Sequence, residues 1–106
     1  RLSEFLSELG HEIIPATNGK SAITLYEAEQ PDLVFMDILM PGTDGISTMQ
    51  QIITTNPNAQ IIIMSSMGQQ SKIVEAIQSG ATDFIVKPFE PTKILLALEK
   101  VTVTPP

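Results

Sequence analysis

The sequence predicts an α/β domain, a doubly wound parallel sheet with helices on both faces. Three observations carry that prediction. Segments of helical period alternate with short, bounded apolar runs along all 106 residues. The runs at Leu33–Met36, Gln60–Met64 and Asp83–Val86 are close to continuously apolar, the pattern of strands buried on both faces. Each run then meets a polar residue: Asp37, Ser65 and Lys87. Parallel strands point the same way, so these three side chains are expected at one rim, the carboxyl edge where open α/β sheets bind ligands.

The elements follow in order. Leu2, Phe5, Leu6 and Leu9 fall at i, i+3, i+4 and i+7, one face of a helix that Gly10 stops. His11–Ala16 is expected as a short strand, at an edge or ending at Pro15, which has no N–H for a ladder. Asn18 caps a helix over Lys20–Gln30 with Ala22, Leu25 and Tyr26 inward. The Asp37 strand is bounded by Pro31-Asp32 before it and by Pro41-Gly42 and Asp44-Gly45 after it. Asp44 caps the next helix, whose buried stripe is Ile46, Met49 and Ile53, and Asn56-Pro57-Asn58 breaks it. The second buried strand, Gln60–Met64, leads through Ser65-Ser66 and Gly68 to a helix over Ser71–Ser79, with Ile73 and Ile77 inward and Gly80 at its end. The third, Asp83–Val86, leads into Lys87-Pro88-Phe89. Pro91 suits the first position of a last helix that uses Ile94, Leu95 and Leu98 and fades near Val101. Five helices and four strands alternate, with neither repeats nor low-complexity segments.

Composition narrows the function. At 42% hydrophobic and 17% charged, the chain is an ordinary globular domain. A net charge of -6 argues against direct binding to nucleic acid or an anionic membrane, and suits a site that concentrates a divalent cation. The chain has no cysteine, which excludes disulfides and thiolate metal sites and accords with a cytoplasmic location. No apolar run approaches the roughly 18 residues that suggest a membrane span. The five methionines are expected as core fillers, and His11 at the surface.

An acid, a hydroxyl and an ammonium at one rim match one job well. A carboxylate nucleophile that takes a phosphoryl group becomes an aspartyl-phosphate. That reaction needs positive charge around the transferring oxygens, which a Lys ammonium and a hard cation such as Mg²⁺ supply. A Ser hydroxyl donates to a phosphoryl oxygen. Each residue also has a plain structural reading: Asp37 opens a turn, Ser65 satisfies local backbone, and Lys87 pairs with Asp37.

Three stretches together resemble a response-regulator receiver domain of the CheY-like kind. They are Met36-Asp37-Ile38-Leu39-Met40-Pro41 with Asp44-Gly45, then Ser65-Ser66, then Gly80-Ala81 with Asp83-Phe84-Ile85-Val86-Lys87-Pro88-Phe89. The resemblance spans nearly the whole chain. It implies a flavodoxin-like, three-layer α-β-α fold with strand order 2-1-3-4-5. It implies that Asp37 is the phosphoacceptor, served by a histidine kinase or a small phosphodonor. It further implies that Ser65 and Lys87 contact the phosphoryl group and that Asp37 and the Leu39 backbone carbonyl are Mg²⁺ ligands. Ser65 and Phe84 would form the switch, with Phe84 turning inward. On spacing alone, Phe84 reads equally as a core residue. The Lys87-Pro88 bond is expected to be cis.

The chain departs from the receiver pattern in one large respect. A receiver begins with a hydrophobic strand ending in an acidic pair that helps hold Mg²⁺, whereas Arg1 already lies in the first helix. The expected domain is therefore 1–101, a receiver without its first strand, followed by a tail or linker at 102–106. That strand would sit between the His11–Ala16 and Asp37 strands, so its absence opens a gap of roughly 9–10 Å. Residues upstream of Arg1, strand exchange in a homodimer, or inward movement of His11–Ala16 would close it. Without the pair, Mg²⁺ binding and phosphorylation are expected to be weak or slow. Ser66 stands where the family usually has another small residue.

The leading expectation is a two-component phosphoacceptor that switches a partner-binding surface formed by the Ser71–Ser79 helix, the Phe84 strand and the last helix. Its partners would be a histidine kinase and a downstream effector or output domain. It would not be an enzyme beyond slow autophosphorylation and autodephosphorylation. The alternative is a receiver-like interaction module independent of phosphate. A phosphatase with an Asp nucleophile would need a second acid, and Asp44, the one nearby, is better explained as a cap.

Overall fold

Ten short elements follow one another in the computed structural model, which describes residues 2–40 and 43–101. They are α1 (Leu2–Glu8), α2 (Gly19–Glu29), β1 (Val34–Asp37), β2 (Leu39–Met40), β3 (Thr43–Asp44), α3 (Gly45–Thr55), β4 (Ile61–Ser65), α4 (Gln70–Gln78), β5 (Asp83–Val86) and α5 (Pro91–Glu99). β1, β4 and β5 make a parallel sheet in the order β1-β4-β5, with Asp37 opposite Met64 and Ser65 opposite Val86. β2 and β3 form a two-residue antiparallel ribbon that the sequence reading lacks. The Pro41-Gly42 turn and the 102–106 tail lie outside the described residues.

The two sheet faces carry separate cores, as the two-unit period of a strand requires. Ile61 and Ile63 face α2, α3 and α4, packing with Tyr26, Met36, Ile38, Ile46, Met49, Ile52 and Ala76. Ile62 faces the other way, with Leu6 of α1, Ile85 of β5, and Ile94 and Ala97 of α5. This is the doubly wound arrangement. β4, central in the sheet, is buried along its whole length. Across α2 and α3, Asn56 donates its side-chain amide to the Tyr26 hydroxyl at 3.0 Å.

Local chemistry explains the helix ends. Gly10 stops α1 at φ +93, a conformation L side chains rarely adopt. Asn18 and Ser21 form a reciprocal capping box on α2. Asp44 caps α3, its Oδ1 accepting from Ile46 N at 3.0 Å and Ser47 N at 3.5 Å. Asn56 ends α3, and Pro91 opens α5.

Several expectations fail for identifiable reasons. His11–Ala16 is irregular, not a strand. Pro15 offers no donor, and among the described residues β1 is left as the sheet's edge with no strand on its second side. The segment and β1 instead flank a cleft of about 650 Å³. For that reason Val34 and Phe35 are half-buried where full burial was expected. β5 is the other edge, so Phe84 stands 41% exposed and is not a core residue. On α4 it is Ala76 that is buried, while Ile77 is exposed. On α5, Ile94 and Ala97 are buried and Leu95 is exposed. One residue along a helix is a rotation of about 100°, enough to turn either leucine or isoleucine off the contact stripe. Met36, Met49 and Met64 fill the core, but Met67 is 80% exposed in the loop after β4. His11 is exposed, as expected.

Candidate functional site

Asp37 ends β1, and the chain around it is packed with little tolerance. Ile38 N continues the ladder to Met64 O at 3.0 Å, while Ile38 O accepts from Gly45 N at 3.0 Å. The start of α3 therefore presses on the Asp37–Ile38 peptide. A Cβ on residue 45 would overlap the Asp37 carbonyl oxygen and come within 2.9 Å of Ile38 Cα. The pair Asp44-Gly45 has a physical reading: the carboxylate caps α3, and the missing side chain lets α3 approach.

Lys87 arrives from the end of β5, its backbone N donating to Ser65 O at 2.7 Å. Its Nζ donates to both carboxylate oxygens of Asp37, at 2.7 and 2.8 Å. The two side chains keep 38% and 29% of their surface exposed. Water therefore screens the pair, and its contribution to stability is of the order of 0–1 kcal/mol. Such a pair can be opened at little cost.

Ser65 sits on the strand between them. Its residue is 1% exposed, and its Oγ is the one buried side-chain polar atom without a hydrogen-bond partner among the described residues. A buried hydroxyl left unpaired costs about 1–3 kcal/mol. In a native structure such an orphan calls for an explanation, and a site for an incoming acceptor is one. Next to it, Ser66 N donates to Gln69 Oε1 at 2.7 Å.

The structure thus brings Asp37 and Lys87 into direct contact and sets Ser65 on the neighbouring strand at the same carboxyl edge. Leu39 lies just beyond, in β2, paired with Asp44. Phe84 lies outside this cluster, on the exposed side of β5. The Lys87-Pro88 bond is cis, as expected. Two contributors were missed in the sequence: the Gly45 approach and the Gln69 contact. The spacing Ser66-x-x-Gln69 is the sequence signal for the second, since a Gln three residues on reaches back to a backbone N–H.

Residues 1–99 match the model of the response regulator receiver domain. The chain belongs to that family. The receiver is similar to the chemotaxis protein CheY of Thermotoga maritima, at 46% identity over 102 residues, 95% of this chain and 85% of that protein. It superimposes on the receiver domain of NtrX from Brucella abortus with a TM-score of 0.91 at 33% identity, covering 97% of this chain and 88% of the other. It is also similar to the CheX-CheY-BeF3-Mg complex of Borrelia burgdorferi, with a TM-score of 0.87 at 33% identity over 97% of this chain and 79% of that one. Receivers are signalling modules of two-component systems, and this chain has their flavodoxin-like α/β fold. No described helix is long and apolar enough to cross a membrane.

The Borrelia complex holds magnesium. Here the described residues include no group of three His, Cys, Asp or Glu side chains able to hold a metal. Lys87 Nζ contacts both carboxylate oxygens of Asp37. Mg²⁺ asks for near-ideal octahedral oxygen ligation. The described residues do not by themselves meet that demand, so the chemistry below is assigned to the side chains alone.

Proposed function

We propose that this receiver is a phosphorylation-controlled switch in which Asp37 is the phosphoacceptor. A histidine kinase's phosphohistidine, or a small phosphodonor, supplies the phosphoryl group. An Asp37 carboxylate oxygen forms a bond to phosphorus as the donor's P–N or P–O bond breaks, and the electron pair leaves with the donor. The observation that carries this reading is the two-point contact of Lys87 Nζ with Asp37 at the carboxyl edge of the sheet. As the acyl phosphate forms, the ammonium transfers from the carboxylate to the phosphoryl oxygens and offsets their charge. Ser65 donates its unpaired hydroxyl to the same group.

The output face would be the surface of α4, β5 and α5. There Val74, Ile77, Phe84 and Leu95 expose apolar side chains on neighbouring elements. Ser65 and Phe84 would couple the two regions, phosphorylation shifting a pre-existing equilibrium in which Phe84 turns inward. A downstream effector or an output domain is the partner of that face. Cytoplasmic residence fits a kinase-fed switch.

Incubation with acetyl phosphate and Mg²⁺, followed by intact-mass measurement, tests this reading. Wild type gains one phosphoryl group, slowly because the described residues offer Mg²⁺ few ligands, and Asp37→Asn gains none. Equal gain in both sinks the assignment. No gain in either, with partner binding the same in both, favours a phosphate-independent interaction module.

A further inference from the structure

The β1–β4 ladder stops one bond short of where its register would carry it. In a parallel pair, every second residue of a strand turns its N–H and C=O toward the same neighbour. Gln60 O and Met64 O accept from Val34 N and Ile38 N, so the even-numbered residues of this stretch face β1. Ser66 is the next of them, and its N–H is due to meet Ile38 O. That oxygen accepts from Gly45 N at 3.0 Å. The Ser66 N–H is a backbone donor on the Asp37 side of β4 that the sheet does not use. Gln69 Oε1 holds it at 2.7 Å.

We propose that Gln69 is a positioning residue that gates this amide. Its side-chain carbonyl occupies a donor that a phosphoryl oxygen on Asp37 would take, and it must swing away for the donor to be used. The proposal rests on the reading of Asp37 as phosphoacceptor. Three features support the exchange. The Gln69 contact is a neutral hydrogen bond, and a charged phosphoryl oxygen accepts about twice as strongly. Gln69 releases the amide by side-chain rotation alone, without moving β4. The neighbouring Ser65 Oγ is buried and unpartnered, so a second donor stands beside the first. The rival reading is that Gln69, at the N-cap position of α4, merely braces the loop before that helix.

The two readings differ in sign. Gln69→Met keeps side-chain length but accepts no comparable hydrogen bond, Gln69→Ala removes the reach, and Gln69→Glu restores an acceptor. Each variant is ¹⁵N-labelled for Ser66 amide exchange and then incubated with acetyl phosphate and Mg²⁺ for intact-mass rates. The gate predicts at least tenfold faster Ser66 exchange in the Met and Ala variants. It also predicts phosphate uptake about fivefold faster than wild type in both, and no faster than wild type in the Glu variant. Asp37-dependent uptake that is unchanged within twofold, or slowed, in the Met and Ala variants overturns the gate and leaves the phosphoacceptor reading standing. No uptake by any of the four proteins overturns both.

Discussion

Lys87 Nζ bridges the two carboxylate oxygens of Asp37 across fifty residues of chain. The pair is about one-third open to water, so it adds little to stability. Lys87→Ala is expected to change the free energy of unfolding by less than about 1 kcal/mol. It should lower the rate of phosphate uptake by about a hundredfold, since a preformed charge aimed at the transferring group is lost. Urea unfolding and intact-mass kinetics on one preparation separate the two effects. A large stability loss with normal uptake would reverse the assignment.

Gly45 is expected to tolerate no side chain. Gly45→Ala puts a methyl into the Asp37 carbonyl, and backbone must move to admit it. A loss of about 2–3 kcal/mol in urea unfolding is expected, with slowed uptake because Asp37 moves too. The neighbouring Asp44→Ala removes only the α3 cap, and about 1 kcal/mol is expected.

The buried face of β4 should dominate stability. Ile63 is 0% exposed, and Ile63→Ala is expected to cost about 3–4 kcal/mol. Phe84→Ala, on the exposed edge, is expected to cost less than about 1.5 kcal/mol. Comparable losses for the two would mean that Phe84 spends most of its time packed inward.

Phe84 should also report the switch. With a ¹⁹F label on that ring, addition of beryllofluoride and Mg²⁺ is expected to shift the resonance toward a buried environment. The same addition should leave it unmoved in Asp37→Asn. A shift that persists without Asp37 would separate Phe84 from the phosphoryl site.

Much of this was readable from residues alone. Continuous apolar runs ending in Asp37, Ser65 and Lys87 locate the rim, because parallel strands share a direction. Asn18, Asp44 and Pro91 mark helix starts by capping chemistry that acts within three residues. What failed depends on contacts distant in sequence. His11–Ala16 has the composition of a strand, but a strand is defined by its neighbour, and none is paired with it among the described residues. Ile77 and Leu95 are apolar and helical, yet only packing decides which side of a short helix meets the sheet. The Ser66 amide bonds Gln69 while Gly45 N bonds Ile38 O, an arrangement of three segments that no single stretch of sequence displays.

Phe84 and Lys87 ride on one short stretch of backbone, three residues and about 10 Å apart. A protein that grips the aromatic ring and holds the stretch in one setting also biases where the ammonium can reach. By reciprocity, if phosphate on Asp37 strengthens docking at Phe84, docking must favour the phosphorylated form at equilibrium by an equal factor. The listener then helps to set how much of the message is written.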